Sequence, residues 1–273
     1  MIIDNKERFR MNFANISSGS DGNCTLFQTS SVNILIDAGI SKKRINEGLK
    51  KFDCNVSEID AILISHEHSD HICALSVIEN KDHIPIYATK ETIEEIKRKK
   101  DFKDETEFVE ITPDKAFKIG DVMINPFSVS HDAANPIAFR LECKNKAFGV
   151  CTDLGIYDDY IIGNLKGLTS LLIESNHDIR MLETGPYPYY LKRRIMSNKG
   201  HLSNESSGRL ISEIMHDDME KIVLGHLSKQ NNYVNLALEA VKCEIDMSKN
   251  KYNGNDFPII AASHDTHTLI YWD

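Results

Sequence analysis

No apolar run in the sequence approaches the about 18 residues that a membrane-spanning helix needs. The first residues, M-I-I-D-N-K-E-R-F-R, carry charges where a secretory signal needs an apolar core. The six cysteines are scattered and form neither a C-x-x-C pair nor a dense framework. These absences predict a cytoplasmic protein with reduced structural thiols and no membrane contact.

An excess of positive charge is also absent. The sequence has 32 Lys and Arg against 41 Asp and Glu, a formal net charge of −9, which argues against a protein with basic surface everywhere. Local basic tracks remain at Lys97–Lys100, which a solvated helix face explains, and at Lys192–Arg194. With 41% hydrophobic and 27% charged residues, the composition is that of a globular protein. We predict one domain over residues 1–273.

Four potential metal ligands lie within the six-residue segment H-E-H-S-D-H. The preceding run Ala61–Ile64 predicts a buried strand, and the apolar spacing that follows the segment predicts a helix. In an extended segment alternate side chains point the same way, so His66 and His68 can bind one ion. Asp70 and His71 follow the turn of the chain and can hold a second ion. Surface histidines or helix-capping residues are the alternative interpretation, which fits a lone histidine better than this cluster.

Three further donors follow later strands of the predicted fold. Val122–Ser130 leads directly to His131 at a strand end. Asp153 emerges from a buried strand, where a carboxylate is costly unless it is paired or bound to metal. Its oxygens could bridge two cations, although a turn aspartate before glycine is the alternative. His226 follows the predicted strand Lys221–Leu224 and is a candidate ligand of the second ion.

Other segments carry candidates for acid–base chemistry and substrate binding. The strand at 168–178 turns abruptly polar at Glu174, and His201 stands just before a predicted helix N-terminus, a natural anion-binding location. Ser203 or Asn204 is expected to cap that helix. The turn Ser17–Asn23 lacks the Walker lysine and the G-x-G-x-x-G pattern, so we predict a hairpin connection there.

Aromatic and basic residues alternate in G-P-Y-P-Y-Y-L-K-R-R-I at 185–195. Tyrosines stack on bases, and Lys and Arg hold phosphates, so this segment is the better candidate for nucleic-acid binding. A proline-braced helix start with a solvated basic face explains it almost as well. At the end of the chain, Phe257–Ala262 and Thr266–Trp272 are predicted to pair as terminal strands, with His264 and His267 as structural residues.

With these residues assembled, the chain resembles the metallo-β-lactamase superfamily over nearly its full length. H-E-H-S-D-H and the later His131, Asp153 and His226 resemble the ordered ligand set of its dinuclear hydrolases. Four stretches, S-S-G-S-D-G-N-C, E-S-N-H-D, P-Y-P-Y-Y-L-K-R-R-I and G-H-L-S-N-E, are similar to the YycJ (WalJ) branch. The resemblance implies an α/β (α+β) fold, a four-layer αββα sandwich with metals at the edge between the sheets.

The resemblance also implies the activity of a DNA phosphodiesterase, a 5′-to-3′ exonuclease. Two divalent ions about 3.5–4 Å apart would generate a bridging hydroxide that attacks phosphorus. Zinc or manganese is expected and iron is also compatible with the donors; DNA is the expected substrate, with RNA as the alternative. The predicted metal ligands are His66, His68 and His131 for one ion, Asp70, His71 and His226 for the other, and Asp153 as the bridge.

The predicted catalytic residues are Asp70, His201 as general acid or phosphate clamp, and Glu174 as the orienting partner of His201. His201 resembles the extra histidine of the PhnP and RNase Z phosphodiesterases. The predicted substrate-binding residues are Asn23, Tyr187, Lys192, Arg193, Arg194 and Ser203.

Three other functions stay open at this point. A hydrolase of carbon esters, lactones or thioesters would use the same metals, but it needs neither His201 nor the tyrosine-rich basic segment. A di-iron redox protein usually has a glutamate where His68 stands. A catalytically silent nucleic-acid-binding module would have no reason to keep the complete ligand set.

Overall fold

The computed structural model describes residues 11–262 and the backbone of 268–272. The first part of the chain forms six strands and four helices: β1 Met11–Ser17, β2 Cys24–Gln28, β3 Asn33–Ile36, α1 Lys42–Leu49, β4 Ala61–Leu63, α2 Ser69–Ile72, α3 Leu75–Asp82, β5 Ile86–Ala88, α4 Lys90–Lys99 and β6 Phe108–Glu110. Short 3-10 turns at Lys50–Phe52 and Val56–Glu58 link α1 to β4.

The second part begins with a run of strands and continues with alternating helices and strands. Its elements are β7 Phe117–Ile119, β8 Val122–Ser128, β9 Ile137–Cys143, β10 Lys146–Cys151, α5 Asp159–Leu165, β11 Ser170–Glu174, α6 Ile179–Thr184, α7 Tyr189–Ile195, α8 Asn204–Ile214, β12 Lys221–Gly225, α9 Val234–Met247, β13 Ile259–Ala261 and β14 Thr268–Trp272. Several helices begin at side-chain caps, as at Ser41, Thr89, Asp158 and Ser203, whose oxygens accept backbone N–H groups of the first turn.

The strands form two seven-stranded sheets. The first has the order β14-β1-β2-β3-β4-β5-β6 and the second β13-β12-β11-β10-β9-β8-β7. The hairpin connection predicted at Ser17–Asn23 is confirmed, since it joins the antiparallel strands β1 and β2. The pairs β2–β3 and β9–β10 are also antiparallel. The strands β3 to β6 run parallel to one another, and so do β10 to β13. The carboxyl ends of two parallel strand sets are thus available to build a site.

Three clusters of buried apolar side chains define the layers. One lies between the sheets and includes Phe13 and Phe27 from the first and Phe148 from the second. A second packs α1 to α4 on the outer face of the first sheet, and a third packs α5, α8 and α9 on the outer face of the second. Adjacent strand residues point to opposite faces, so Leu26 joins an outer cluster while Phe27 joins the inner one. The predicted αββα sandwich is confirmed.

The prediction that the two terminal strands pair with each other is wrong. β13 runs parallel to β12 at the edge of the second sheet, whereas β14 runs antiparallel to β1 at the edge of the first. Each strand therefore completes a different sheet. Strand periodicity shows which residues are extended but carries no information about which of two open edges accepts them. His264 and His267 lie outside the described residues.

Two expectations about the environment of the chain can be compared with the structure. Among the described residues, no helix combines the length and the apolar character needed to cross a bilayer. All six cysteines are free, in agreement with the predicted thiols, and burial raises the pKa of Cys24 and Cys151.

Candidate metal centre

The predicted ligands meet where strands of both sheets end. His66 lies three residues after β4, and His131 three residues after β8. Asp153 lies two residues after β10, and His226 directly follows β12. Asp70 and His71 are in the short helix α2, which continues the segment after β4. One edge of the sandwich therefore collects donors from segments that are up to 160 positions apart in sequence.

The donor atoms fall into overlapping groups in which all atoms lie within 4.8 Å of one another. One group joins His66, His68 and His131, and another joins Asp70, His71 and His226. Asp153 belongs to further groups with members of both. The structure brings together the two predicted triads with Asp153 between them.

The distances around Asp153 describe this arrangement. Its Oδ2 lies 3.1 Å from His71 Nε2, and its Oδ1 lies 3.6 Å from His131 Nε2 and 3.7 Å from His226 Nε2. His226 Nε2 is also 3.7 Å from Asp70 Oδ2, and His68 Nδ1 is 3.3 Å from His131 Nε2. Carboxylate and imidazole atoms thus converge on one small volume.

The ring nitrogens that face away from this volume have partners, which fixes the orientation of four rings. Second contacts of this kind are the usual way in which metal-binding histidines are oriented. The pairs are His71 Nδ1 with Asp37 Oδ2 at 2.8 Å, His226 Nδ1 with Glu174 Oε1 at 2.7 Å, His131 Nδ1 with the Gly200 carbonyl at 3.1 Å, and His66 Nδ1 with Ser65 Oγ at 3.0 Å.

The atoms that face inward include buried atoms without a hydrogen-bond partner. These are His66 Nε2, His226 Nε2 and Asp153 Oδ2. Leaving such atoms unpaired in the interior is costly, and imidazole nitrogen and carboxylate oxygen are ligands of zinc and of manganese or iron. The residues present therefore fit divalent metal ions.

The electrostatics of the centre agree with this assignment. Burial, followed by the neighbouring His71, holds the pKa of His66 well below its ordinary value, which keeps the imidazole neutral. Burial acts in the same direction on His71, but Asp37, Asp153 and Asp70 outweigh it and raise the pKa of His71. Opposite charge is needed wherever carboxylates are buried together, and a divalent cation would displace the proton on His71.

Three residues of the centre have left-handed backbone conformations that non-glycine residues rarely adopt. The φ angles are 61° at Asp37, 57° at Asp153 and 54° at His226. At His226, the N–H donates to Ser18 Oγ at 2.8 Å, and the carbonyl accepts from Asn176 Nδ2 at 2.9 Å. Strain of this kind clusters at functional sites, where surrounding contacts maintain it.

His201 and Glu174 lie beside the predicted metal ligands. His201 Nδ1 is 2.8 Å from Glu174 Oε1 and 3.7 Å from Asp153 Oδ1. Glu174 Oε2 accepts the backbone N–H groups of Leu154 and Leu202. Burial disfavours the charged form of His201, but the Glu174 carboxylate outweighs it and raises the pKa of His201. Glu174 therefore orients His226 as well as His201, a role that the sequence did not indicate.

The predicted substrate-binding residues fall into two sets. Asn23 is buried in the centre, where its Nδ2 lies 3.0 Å from His71 Nε2 and 3.4 Å from Asp70 Oδ2. Ser203 is also buried, and its hydroxyl caps α8 by accepting Ser206 N–H. The others lie before and within α7, where Tyr187 and Lys192 are half-buried and Arg193 and Arg194 are exposed. Arg194 reaches the centre, since its Nε donates to Asp132 Oδ2 at 2.5 Å.

Sequence reasoning missed Asp37, Ser65 and Asp132. Asp37 accepts hydrogen bonds from Ser65 N at 2.9 Å and from His71. Asp132 Oδ1 is 3.4 Å from His131 Nε2. Asp37 carries the signal that identified Asp153, because it also follows a buried strand, but its context D-A-G reads as a turn.

A family model described as the β-lactamase superfamily domain matches residues 32–227, which is more than half of the chain. The chain belongs to the metallo-β-lactamase superfamily. This membership confirms the predicted class of metal-dependent hydrolase.

Curated relatives within the superfamily are similar over most of their length. The chain is 36% identical over 233 residues to a protein of Bacillus anthracis named exodeoxyribonuclease YycJ, covering 85% of this chain and 88% of that protein. It is 36% identical over 259 residues to exodeoxyribonuclease WalJ of Streptococcus pneumoniae serotype 2, covering 93% of this chain and 95% of that protein.

Solved structures support the fold independently. The metallo-β-lactamase fold protein YhfI from Bacillus subtilis superposes with a TM-score of 0.69 over 96% of this chain and 100% of that chain, at 18% identity. At this identity the similarity shows the metallo-β-lactamase fold alone.

Proposed function

We propose that the protein is a dinuclear metal-dependent phosphodiesterase that degrades DNA from the 5′ end. The observation that carries the proposal is the pair of three-histidine and Asp-His-His groups joined through Asp153, with His201 beside them. The names of the curated relatives support an exodeoxyribonuclease activity.

The ligands are assigned as the sequence suggested. His66, His68 and His131 would hold one ion and Asp70, His71 and His226 the other, with Asp153 contributing to both. When bound, two divalent ions activate water and stabilise charge on the attacking and leaving oxygens of a displacement at phosphorus. Asp37 and Glu174 keep His71 and His226 in the ring orientation that leaves Nε2 free for metal.

His201 is the group assigned to the leaving oxygen. Its Nδ1–H donates to Glu174, so Nε2 is the nitrogen left for the substrate. Because Glu174 raises the pKa of His201, the ring carries a proton that it can donate to the leaving alkoxide or use to clamp a phosphate oxygen. Glu174 is a positioning residue in this scheme, held in turn by two backbone N–H groups.

The basic end of α7 supplies the contact with the rest of a nucleic-acid strand. Lys192, Arg193 and Arg194 lie in its last turn, and the Asp132 carboxylate holds Arg194 next to the metal ligands. Arg presents planar donors that match phosphate oxygens. A local basic surface of this kind is compatible with the net charge of −9.

Two assays test the proposal. The metal-loaded protein is compared on bis(p-nitrophenyl) phosphate and on lactone and thioester substrates, with turnover of the phosphodiester expected. Preference for a carbonyl substrate would contradict the phosphodiesterase assignment. For direction, strands labelled at the 5′ or the 3′ end are digested in parallel. A label at the 5′ end should be released at once as a short product, whereas a strand labelled at the 3′ end should shorten gradually and keep its label.

A further inference from the structure

The helix α7 exposes two adjacent aromatic side chains. Tyr189 is 75% and Tyr190 74% accessible, and none of the residues of the helix is buried. Tyr187, the tyrosine predicted from sequence to bind substrate, is half-buried and precedes the helix. Tyr189 and Tyr190 are therefore the tyrosines of this segment whose rings are open to a ligand.

The carboxyl end of α7 is fixed to the metal centre. His201 N–H donates to the Ile195 carbonyl at 2.9 Å, and Ser130 Oγ donates to the Asn198 carbonyl at 2.8 Å. The backbone of Gly155, two residues after Asp153, packs so closely here that a Cβ atom would lie 2.2 Å from Asn198 O. A strand bound at the metals would therefore meet α7 in a defined position.

The two tyrosines lie on different faces of this helix. Successive helical residues are about 100° apart, so Tyr190 and Arg194 are separated by only about 40°. Arg194 faces the metal centre through Asp132. Tyr189 instead shares its face with Arg193, whose guanidinium carbon is 6.0 Å from the Tyr189 ring centre. Tyr190 thus shares its helix face with Arg194, the residue that contacts Asp132, and lies about 6 Å along the axis from it.

We propose that Tyr190 stacks on an unpaired base adjacent to the phosphate at the metal centre, while Arg194 contacts the phosphate backbone of the same strand. The inference rests on the proposed function and names the form of its substrate, a single-stranded nucleic-acid end. An exposed ring next to cationic side chains is the arrangement that binds single strands, because every base has a face that can stack. A base inside a duplex has both faces covered, so a base that is paired there must first leave the duplex before it can stack on Tyr190.

Tyr189 provides a matched control for Tyr190. Y190A and Y189A remove the same side chain from adjacent, equally exposed positions of one helix, so the cost to folding is similar. KM and kcat are measured for the metal-loaded full chain on a single-stranded DNA oligonucleotide and on bis(p-nitrophenyl) phosphate, which has no base. We expect Y190A to raise KM for the oligonucleotide, relative to KM for bis(p-nitrophenyl) phosphate, by roughly 5- to 100-fold. Y189A should change this ratio less than about twofold, and Y190F should restore it because stacking does not need the hydroxyl.

An oligonucleotide that lacks the bases nearest the cleavage site provides a second measurement. On this substrate the wild-type protein and Y190A should have the same KM. Equal effects of Y190A and Y189A, or a full effect of Y190A on the base-free oligonucleotide, would overturn the stacking role.

If the wild-type protein degrades no nucleic acid, the proposed function fails. Binding of a fluorescent single strand to the metal-loaded protein then decides the role of Tyr190: weaker binding by Y190A alone supports stacking, and unchanged binding rejects it.

Discussion

At the scale of single residues, His201 is placed where either a metal ligand or an acid catalyst could act. It lies with Asp153, Glu174 and His226 in a group of donors within 4.8 Å, so proximity alone permits either role. Its Nδ1 contacts Glu174 as that of His226 does, but its side chain is 17% accessible, whereas those of the proposed ligands His71 and His226 are nearly inaccessible. This difference in accessibility favours contact of His201 with the substrate.

His201→Ala is therefore expected to retain the metal content of the wild-type protein while kcat falls about 100-fold or more, as for loss of a general acid. Metal content is measured by plasma mass spectrometry and kcat with bis(p-nitrophenyl) phosphate. His83→Asn, at an exposed histidine that directly follows α3, serves as the control for histidine loss. A proportional loss of metal and turnover in His201→Ala would make His201 a ligand.

Asp37 is expected to act on metal affinity through His71. Asp37→Asn removes the charged acceptor of His71 Nδ1–H, and loss of such partners weakens metal binding about 10- to 100-fold. Competition with a chromophoric chelator measures this affinity. Asp121→Asn is the matched control, because Asp121 accepts hydrogen bonds from the hydroxyl groups of Thr29 and Ser31 without contacting the centre. Equal affinities of the two variants would rule out the assigned role.

At the scale of elements, the four-residue helix α2 depends on a close backbone approach. Asn23 N–H donates to the Asp70 carbonyl at 2.7 Å, and Ala38 N–H donates to the His71 carbonyl at 2.8 Å. A Cβ on Gly39 would lie 1.6 Å from Asp70 O, so only glycine fits there. The D-A-G turn after β3 thus determines where Asp70 and His71 lie.

Gly39→Ala should displace α2 while leaving His66, His68 and His131 in place. We expect the metal content to fall from two ions towards one per chain and turnover to be lost, with the fold retained by circular dichroism. Gly163→Ala in α5, where a Cβ would meet no atom within 4 Å, is the control and should retain both ions. Retention of two ions by Gly39→Ala would show that α2 does not depend on this contact.

The sequence predicted the donors that lie together in one segment or that follow strands with a clear apolar pattern. The segment H-E-H-S-D-H was recognisable because it holds four potential ligands within six residues, and Asp153 was recognisable because it follows a buried strand. The role of Asp37 could not be predicted, because its partner His71 is 34 positions away and nothing in the sequence links a turn to a helix. The dual role of Glu174 was hidden for the same reason, since His226 is 52 positions away.

At the scale of the whole molecule, the layers were predictable but the partners of the last strands were not. The family resemblance implied the four layers, and the three apolar clusters agree with them. Edge pairing is decided by contacts across the fold, so β13 and β14 complete separate sheets. The site lies between sheets that must pack together to align their strand ends.

Packing between the sheets should therefore dominate stability. Phe148 is fully buried, with ring centres of Phe13 at 5.4 Å and Phe27 at 5.1 Å. Phe148→Ala should lower the free energy of unfolding by about 3–5 kcal/mol, measured by denaturant titration. Phe148→Leu, which leaves a smaller cavity, should lose clearly less. Equal losses would show that cavity size at this position does not determine stability.

The most direct test of the central claim is digestion of end-labelled DNA by the protein after removal of metal and reconstitution with manganese or zinc. Single- and double-stranded DNA and RNA are compared in the same reaction series. We predict that the chelated protein is inactive, that reconstitution restores degradation of DNA, and that label at the 5′ end is released first. Failure to degrade any of these substrates with either metal would contradict the account.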